Sequence, residues 1–65
     1  MKLTVNGEEH DITARNVSEV VAHFNLEPKL VVAEVDGQIL DRADWEDAAV
    51  KDGSKIELVQ FIGGG

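Results

Sequence analysis

Apolar and polar residues alternate at the start of the chain. Leu3 and Val5 stand between Lys2, Thr4 and Asn6, a period of two that reads as a strand. Asn6-Gly7 follows it, and that pair favours a tight hairpin because both central positions of a type I′ turn need positive φ. The return strand is expected over Glu8 to Ile12, polar enough for a sheet edge. At Val17 the period changes. Val17, Val20, Val21 and Phe24 fall at i, i+3, i+4 and i+7, one apolar stripe with Ser18, Ala22 and His23 off it. Asn16 is placed to cap the first turn, and Glu19 to reach back in capping-box fashion. Asn25 suits a left-handed cap and Pro28 forbids continuation, so a helix of about two turns is expected.

Leu30 to Val35 is apolar apart from Glu34 and reads as a buried strand. Asp36-Gly37 is a second turn signal, with Gln38-Ile39-Leu40 as a short partner strand. Asp41 or Ala43 opens a single helical turn around Trp45, a residue read as core filler or a lid on the sheet edge, and Val50 returns to the core. Lys51-Asp52-Gly53 is a turn, and Ser54 to Phe61 is the last strand, with Ile56 and Leu58 on one face and Glu57, Val59 and Phe61 on the other. To bury its apolar residues, that strand has to insert beside the first and parallel to it. The expected class is α+β, a β-grasp (ubiquitin-like) fold in which a mixed sheet of four to five strands wraps around one helix. A single helix covers one sheet face, so Val59 and Phe61 are expected to be exposed apolar groups, the mark of an interface. Residues 1–61 form the domain in this reading, and residues 62–65 a flexible tail.

Composition narrows the chemistry. With 65 residues the core is small, and the absence of cysteine excludes both disulfides and a thiolate metal cage. Thirteen acids against six bases give a net charge of −7, which disfavours nucleic acid and anionic membranes as partners. No basic-then-apolar leader and no membrane-length apolar run are visible, so a cytoplasmic location is expected. His10 and His23 stand apart in the pattern and read as surface residues. Asp44, Glu46 and Asp47 lack the glycine and ligand spacing of a calcium loop. There is no Ser/His/Asp group, P-loop or dinucleotide fingerprint. The expectation is a protein that is not an enzyme by itself and needs no metal or cofactor. Glu57 and Asp47 are candidates to meet a basic rim on a partner.

What remains is the sequence Gly63-Gly64-Gly65 directly after Phe61-Ile62. Glycines without Cβ make a thin, permissive backbone, able to thread a narrow channel in a partner. Its carboxylate, with an ordinary pKa of about 3.5, is ionised at neutral pH and is a poor acyl electrophile. Reactivity requires a better leaving group, and an acyl adenylate formed from ATP supplies one.

The Asn6-Gly7 hairpin, the Val17-to-Phe24 helix, Trp45, Lys51-Asp52-Gly53, Ile56-Glu57-Leu58-Val59 and the closing glycines together resemble the ThiS family, over essentially the whole chain. These are ubiquitin-like sulfur carriers of thiamine biosynthesis. The resemblance implies that the Gly65 carboxyl is adenylated by a ThiF-like adenylyltransferase. A sulfur donor protein then displaces AMP to leave a thiocarboxylate, and the sulfur passes to a ThiG-like thiazole synthase. Without cysteine, the sulfur has to sit on Gly65. Gly63, Gly64, Ile62, Phe61 and Val59 become partner-binding residues, the last two anchoring the domain while the tail reaches in. The diglycine is shared with MoaD, the small subunit of molybdopterin synthase, and with ubiquitin. A MoaD-like carrier, a protein modifier and a plain docking domain are the alternative readings.

Overall fold

The computed structural model describes residues 1–62. The elements follow in the order β1 (Lys2–Val5), β2 (Glu8–Asp11), α1 (Val17–His23), β3 (Val31–Val35), β4 (Gln38–Leu40) and β5 (Lys55–Gln60). Short 3-10 turns at Pro28–Leu30 and Arg42–Asp44 lie between them. One five-stranded sheet runs β2-β1-β5-β3-β4. Two antiparallel hairpins flank β5, which is parallel to β1 and antiparallel to β3. Val17, Val20 and Val21 of α1 join Leu3, Val5, Ala33, Ile56 and Leu58 in a single buried cluster, so the helix lies on one face of the sheet. This is the β-grasp arrangement that the pattern predicts, with five strands and β4 as a short edge. Trp45 is buried in the same core, and its indole N–H donates to the Leu40 carbonyl at 3.4 Å. Of the two roles read for it, filler is the one it has.

Both hairpin turns take positive φ at both central residues, 52° and 81° at Asn6-Gly7 and 49° and 89° at Asp36-Gly37. Asn6 does more than turn the chain. Its backbone N–H donates to the Ile56 carbonyl at 2.9 Å. Its side-chain oxygen accepts from the Leu58 N–H at 2.8 Å, while its amide donates to the Leu58 carbonyl at 3.1 Å. The side chain thus acts as one extra residue of β1, satisfying two backbone groups that outrun that strand. Asp36 does similar work on the other edge. Its N–H donates to the Lys55 carbonyl at 2.8 Å and its carboxylate accepts from the Lys55 N–H at 3.0 Å.

Three local details depart from the sequence pattern. Leu30 belongs to the 3-10 turn opened by Pro28, and β3 begins at Val31. The proline ring fixes φ for a turn, and Leu30 is left partly exposed. The last strand is Lys55–Gln60, because the Ser54 hydroxyl accepts from the Lys51 N–H at 3.1 Å and belongs to the preceding turn. At the helix start Asn16 caps the Glu19 N–H at 2.9 Å, as expected. The Glu19 carboxylate, however, passes the cap and takes the Arg15 N–H at 2.7 Å and the Arg15 guanidinium at 3.0 Å. The isolated Asn16–Ala49 bridge is made by the neighbours of that pair, the Val50 N–H donating to the Arg15 carbonyl at 3.2 Å and the Val17 N–H to the Ala48 carbonyl at 3.0 Å, which holds Arg15 beside the helix start.

The Arg15 N–H, then its guanidinium, hold the Glu19 carboxyl below its ordinary value. A lowered carboxyl pKa adds stability above the unfolded-state value and loses it as pH falls through the folded-state value. Glu19→Gln is therefore expected to flatten the acid limb of a stability-against-pH curve below about pH 4.5. Replacing Asn6 by glycine keeps the left-handed turn but strands the Leu58 N–H and carbonyl. A urea titration should show a loss of about 1–3 kcal/mol. An unchanged midpoint would mean that the side-chain bridge to β5 contributes nothing.

Candidate functional site

Strand β5 sorts its residues by parity. Ile56 and Leu58 point into the core, and Glu57 and Val59 point to the face that α1 leaves bare. The ladder to β3 sets Val59 opposite Val32 and Glu57 opposite Glu34, and β4 sets Ile39 on the far side of Glu34. The outer face therefore carries Phe61 just beyond the end of β5, then Val59 beside Val32, then a row of Glu57, Glu34 and Ile39. Exposure is 58% at Phe61, 52% at Val59 and 70% at Ile39, large for apolar groups with a sheet beneath them. Val59 and Phe61 lie where the alternation of the last strand puts them.

Ile39 is the residue that the sequence reading missed as part of this face. The signal was available. A two-residue Asp36-Gly37 turn pairs Val35 with Gln38 and Glu34 with Ile39, so Ile39 has to share the face of Glu34.

The root of the tail is held twice by the segment that leads into β3. The Phe61 N–H donates to the Leu30 carbonyl at 2.8 Å, and the Gln60 side chain accepts from the Glu27 N–H at 3.2 Å. Ile62 follows with 89% exposure. Gly63, Gly64 and Gly65, expected to carry the chemistry, lie outside the described residues.

Other candidates do not assemble into a reactive centre among the described residues. His10 and His23 both pack edge-on against the Phe24 ring, at centroid distances of 5.1 and 5.0 Å. That contact accounts for two histidines read as isolated. No group of three or more metal-ligating side chains is present there, Asp44, Glu46 and Asp47 included. An open cleft of about 540 Å³ beside Arg15, Glu19, Glu46 and Asp47 is polar and solvent-facing. What the described surface offers is an apolar patch leading to a chain end, which suits binding.

Comparison with known proteins bears on what is bound. A family model described as "ThiS family" matches residues 3–65. A thiazole synthase from Paramagnetospirillum magneticum is 36% identical across 100% of this chain, which spans only 20% of that protein's length. The sulfur carrier protein ThiS of Bacillus subtilis is 31% identical over 75% of this chain and 74% of its own. A crystal structure of the thiamine biosynthesis protein ThiS from Geobacter metallireducens superposes with a TM-score of 0.84 at 33% identity, covering 100% of both chains.

The two faces of β5 predict opposite outcomes for adjacent substitutions. Leu58→Ala should cost about 2–5 kcal/mol in chemical denaturation, as a truncation in a packed core does. Val59→Thr and Phe61→Ala should each stay within about 0.5 kcal/mol of the unaltered protein. A large loss at Val59 or Phe61 would show that this face is needed for stability and is not spare surface.

Proposed function

This chain belongs to the ThiS family of sulfur carriers, and from that we propose that Gly65 is the residue that carries the sulfur, as a C-terminal thiocarboxylate. The sulfur is destined for the thiazole of thiamine. Support comes first from the family match, which runs from residue 3 through the glycines to residue 65. The chain has no cysteine, so no side-chain thiol competes for the role.

The steps follow from the acyl chemistry. A ThiF-like adenylyltransferase joins the Gly65 carboxylate to the α-phosphorus of ATP, releasing pyrophosphate. A hydrosulfide equivalent from a sulfur donor protein then attacks the acyl carbon. The bond to the AMP oxygen breaks, AMP departs and the thiocarboxylate remains. A ThiG-like thiazole synthase takes the sulfur from it. A thiazole synthase with a segment like this whole chain supports that recipient.

The carrier itself acts as a co-substrate. Its residues dock, through Val59 and Phe61, and extend Ile62, Gly63, Gly64 and Gly65 into each partner. Four extended residues reach at most about 14 Å, which sets how far below the docking face the reacting atom sits. Glycine is suited to that passage because a Cβ would widen the chain in a narrow channel. No described helix is long and apolar enough to cross a membrane, and a cytoplasmic location, beside an ATP-using partner, fits the proposal.

Intact mass spectrometry, before and after thiol-directed alkylation, tests the proposal on protein co-expressed with its activating partner. Alkylation is needed because exchange of oxygen for sulfur adds nearly the mass of an oxidised Met1. The expected result is a species that takes up the alkylator, absent when Gly65 is deleted. An unreactive chain beside a competent partner, or higher-mass conjugates in place of a thiocarboxylate, would contradict sulfur carriage by Gly65.

A further inference from the structure

Glu34 and Glu57 stand directly opposite each other on β3 and β5. The bonds from Phe61 N–H to the Leu30 carbonyl and from Asp36 N–H to the Lys55 carbonyl set the phase of this ladder. By that phase the Glu34–Glu57 pair is a hydrogen-bonded one, with Cα atoms about 5.5 Å apart. Both side chains leave from the same uncovered face. Like charges so placed destabilise a sheet. Neither is in an ion pair among the described residues, where the pairs join the N-terminus to Asp11, Lys2 to Glu9 and Arg15 to Glu19. Lys55 lies two residues from Glu57 on the same face and pairs with neither carboxylate.

The surroundings of this pair are apolar. Ile39 is beside Glu34, and Val32 and Val59 form the next rung toward the tail. A partner seated on Ile39, Val59 and Phe61 therefore strips water from two adjacent carboxylates. Burying such charges unpaired carries a desolvation penalty that an apolar surface alone does not repay. The partner has to bring a cation, and it has to serve two acceptors across one rung. An ammonium is a compact point charge, whereas a guanidinium presents five N–H donors on different edges of one plane and can donate to two carboxylates at once.

We propose that this face docks an arginine-bearing protein surface, the guanidinium seated between Glu34 and Glu57 and an apolar rim resting on Ile39, Val59 and Phe61. The pair selects the partner. It rejects apolar or acidic surfaces that fit the patch by shape alone, and it does so at the expense of the free protein's stability. The inference rests on the carrier reading in one respect only, that the occupant is the ThiF-like enzyme that adenylates the tail.

The test uses the full chain with Glu34→Gln, Glu57→Gln, both together, and Glu57→Lys. Two quantities are read, the unfolding midpoint of the free protein and its affinity for the ThiF-like partner at several salt concentrations. Each glutamine variant should keep or raise the midpoint and weaken docking on the order of tenfold, with a shallower salt dependence. The double variant should lose less than the product of the two single losses, because one guanidinium serves both carboxylates. Glu57→Lys should form a cross-strand pair with Glu34, raise the midpoint and abolish docking. Unchanged affinity in the glutamine variants overturns the proposal, and so does a fall in their midpoints. If Phe61→Ala weakens docking while the glutamine variants do not, the face is a docking surface without the arginine. A missing thiocarboxylate in the unaltered protein tests the carrier reading separately.

Discussion

In the sheet the two hairpins meet only through β5, so the hydrogen bonds along its two edges hold the fold together. The edges are unequal. Against β3 the pairing runs from Val35–Ile56 to Val31–Gln60, while against β1 only Thr4–Lys55 and Val5–Ile56 are paired. β5 outruns its parallel neighbour, and a buried strand cannot leave its amide groups without partners. Asn6 closes that shortfall with a side chain that serves Leu58 as a strand residue would, and Asp36 seals the start of the strand from the other side. Each turn residue is chosen twice over, once for positive φ and once for the polar group it extends to β5.

From this follows the placement of the functional end. A central strand, not an edge strand, delivers the chain to the tail, and its final backbone bond fixes where the tail begins. Alternation along the same strand gives one face to the core and the other to whatever partner receives the tail. Leu58 and Val59 are neighbours in sequence and opposite in role. With a single short helix, nothing among the described residues covers the outer face. The apolar side chains that remain there are tolerable because a few exposed apolar groups weaken a small domain little. Their position around two unpaired carboxylates gives that face a chemical preference that a purely apolar patch lacks.

Much of this was readable from residues alone. The Asn-Gly and Asp-Gly turns, the Val17-to-Phe24 stripe and the alternation after Ser54 are local signals, and local structure obeys them. The parallel insertion of β5 also followed, because no other order buries Ile56 and Leu58. Less readable were features whose cause lies far away in sequence. Asn6 is a turn residue by composition, and its partner Leu58 is 52 positions distant. The Glu19 carboxylate had two backbone donors within reach, and it takes that of Arg15, a residue held in place by the distant Val50. Leu30 is apolar and adjoins a strand, yet the ring of Pro28 commits it to a turn. The histidines looked solitary because only the fold brings His10 of β2 to the Phe24 ring.

The position of β5 in the sheet also has a consequence for how the protein is made. Chains are synthesised from the N-terminus, so both hairpins and the helix leave the ribosome before residues 55–60 do. Until then Leu3 and Val5 on one side, and Val31 and Ala33 on the other, have no shared layer to complete. A chain abandoned before that point would be unfolded and fit for proteolysis, and could not persist as a tidy globule without β5. The architecture thus ties the acquisition of a folded docking surface to the presence of the strand that leads into the glycines. Partners that recognise the sheet are spared competition from copies that stop before β5.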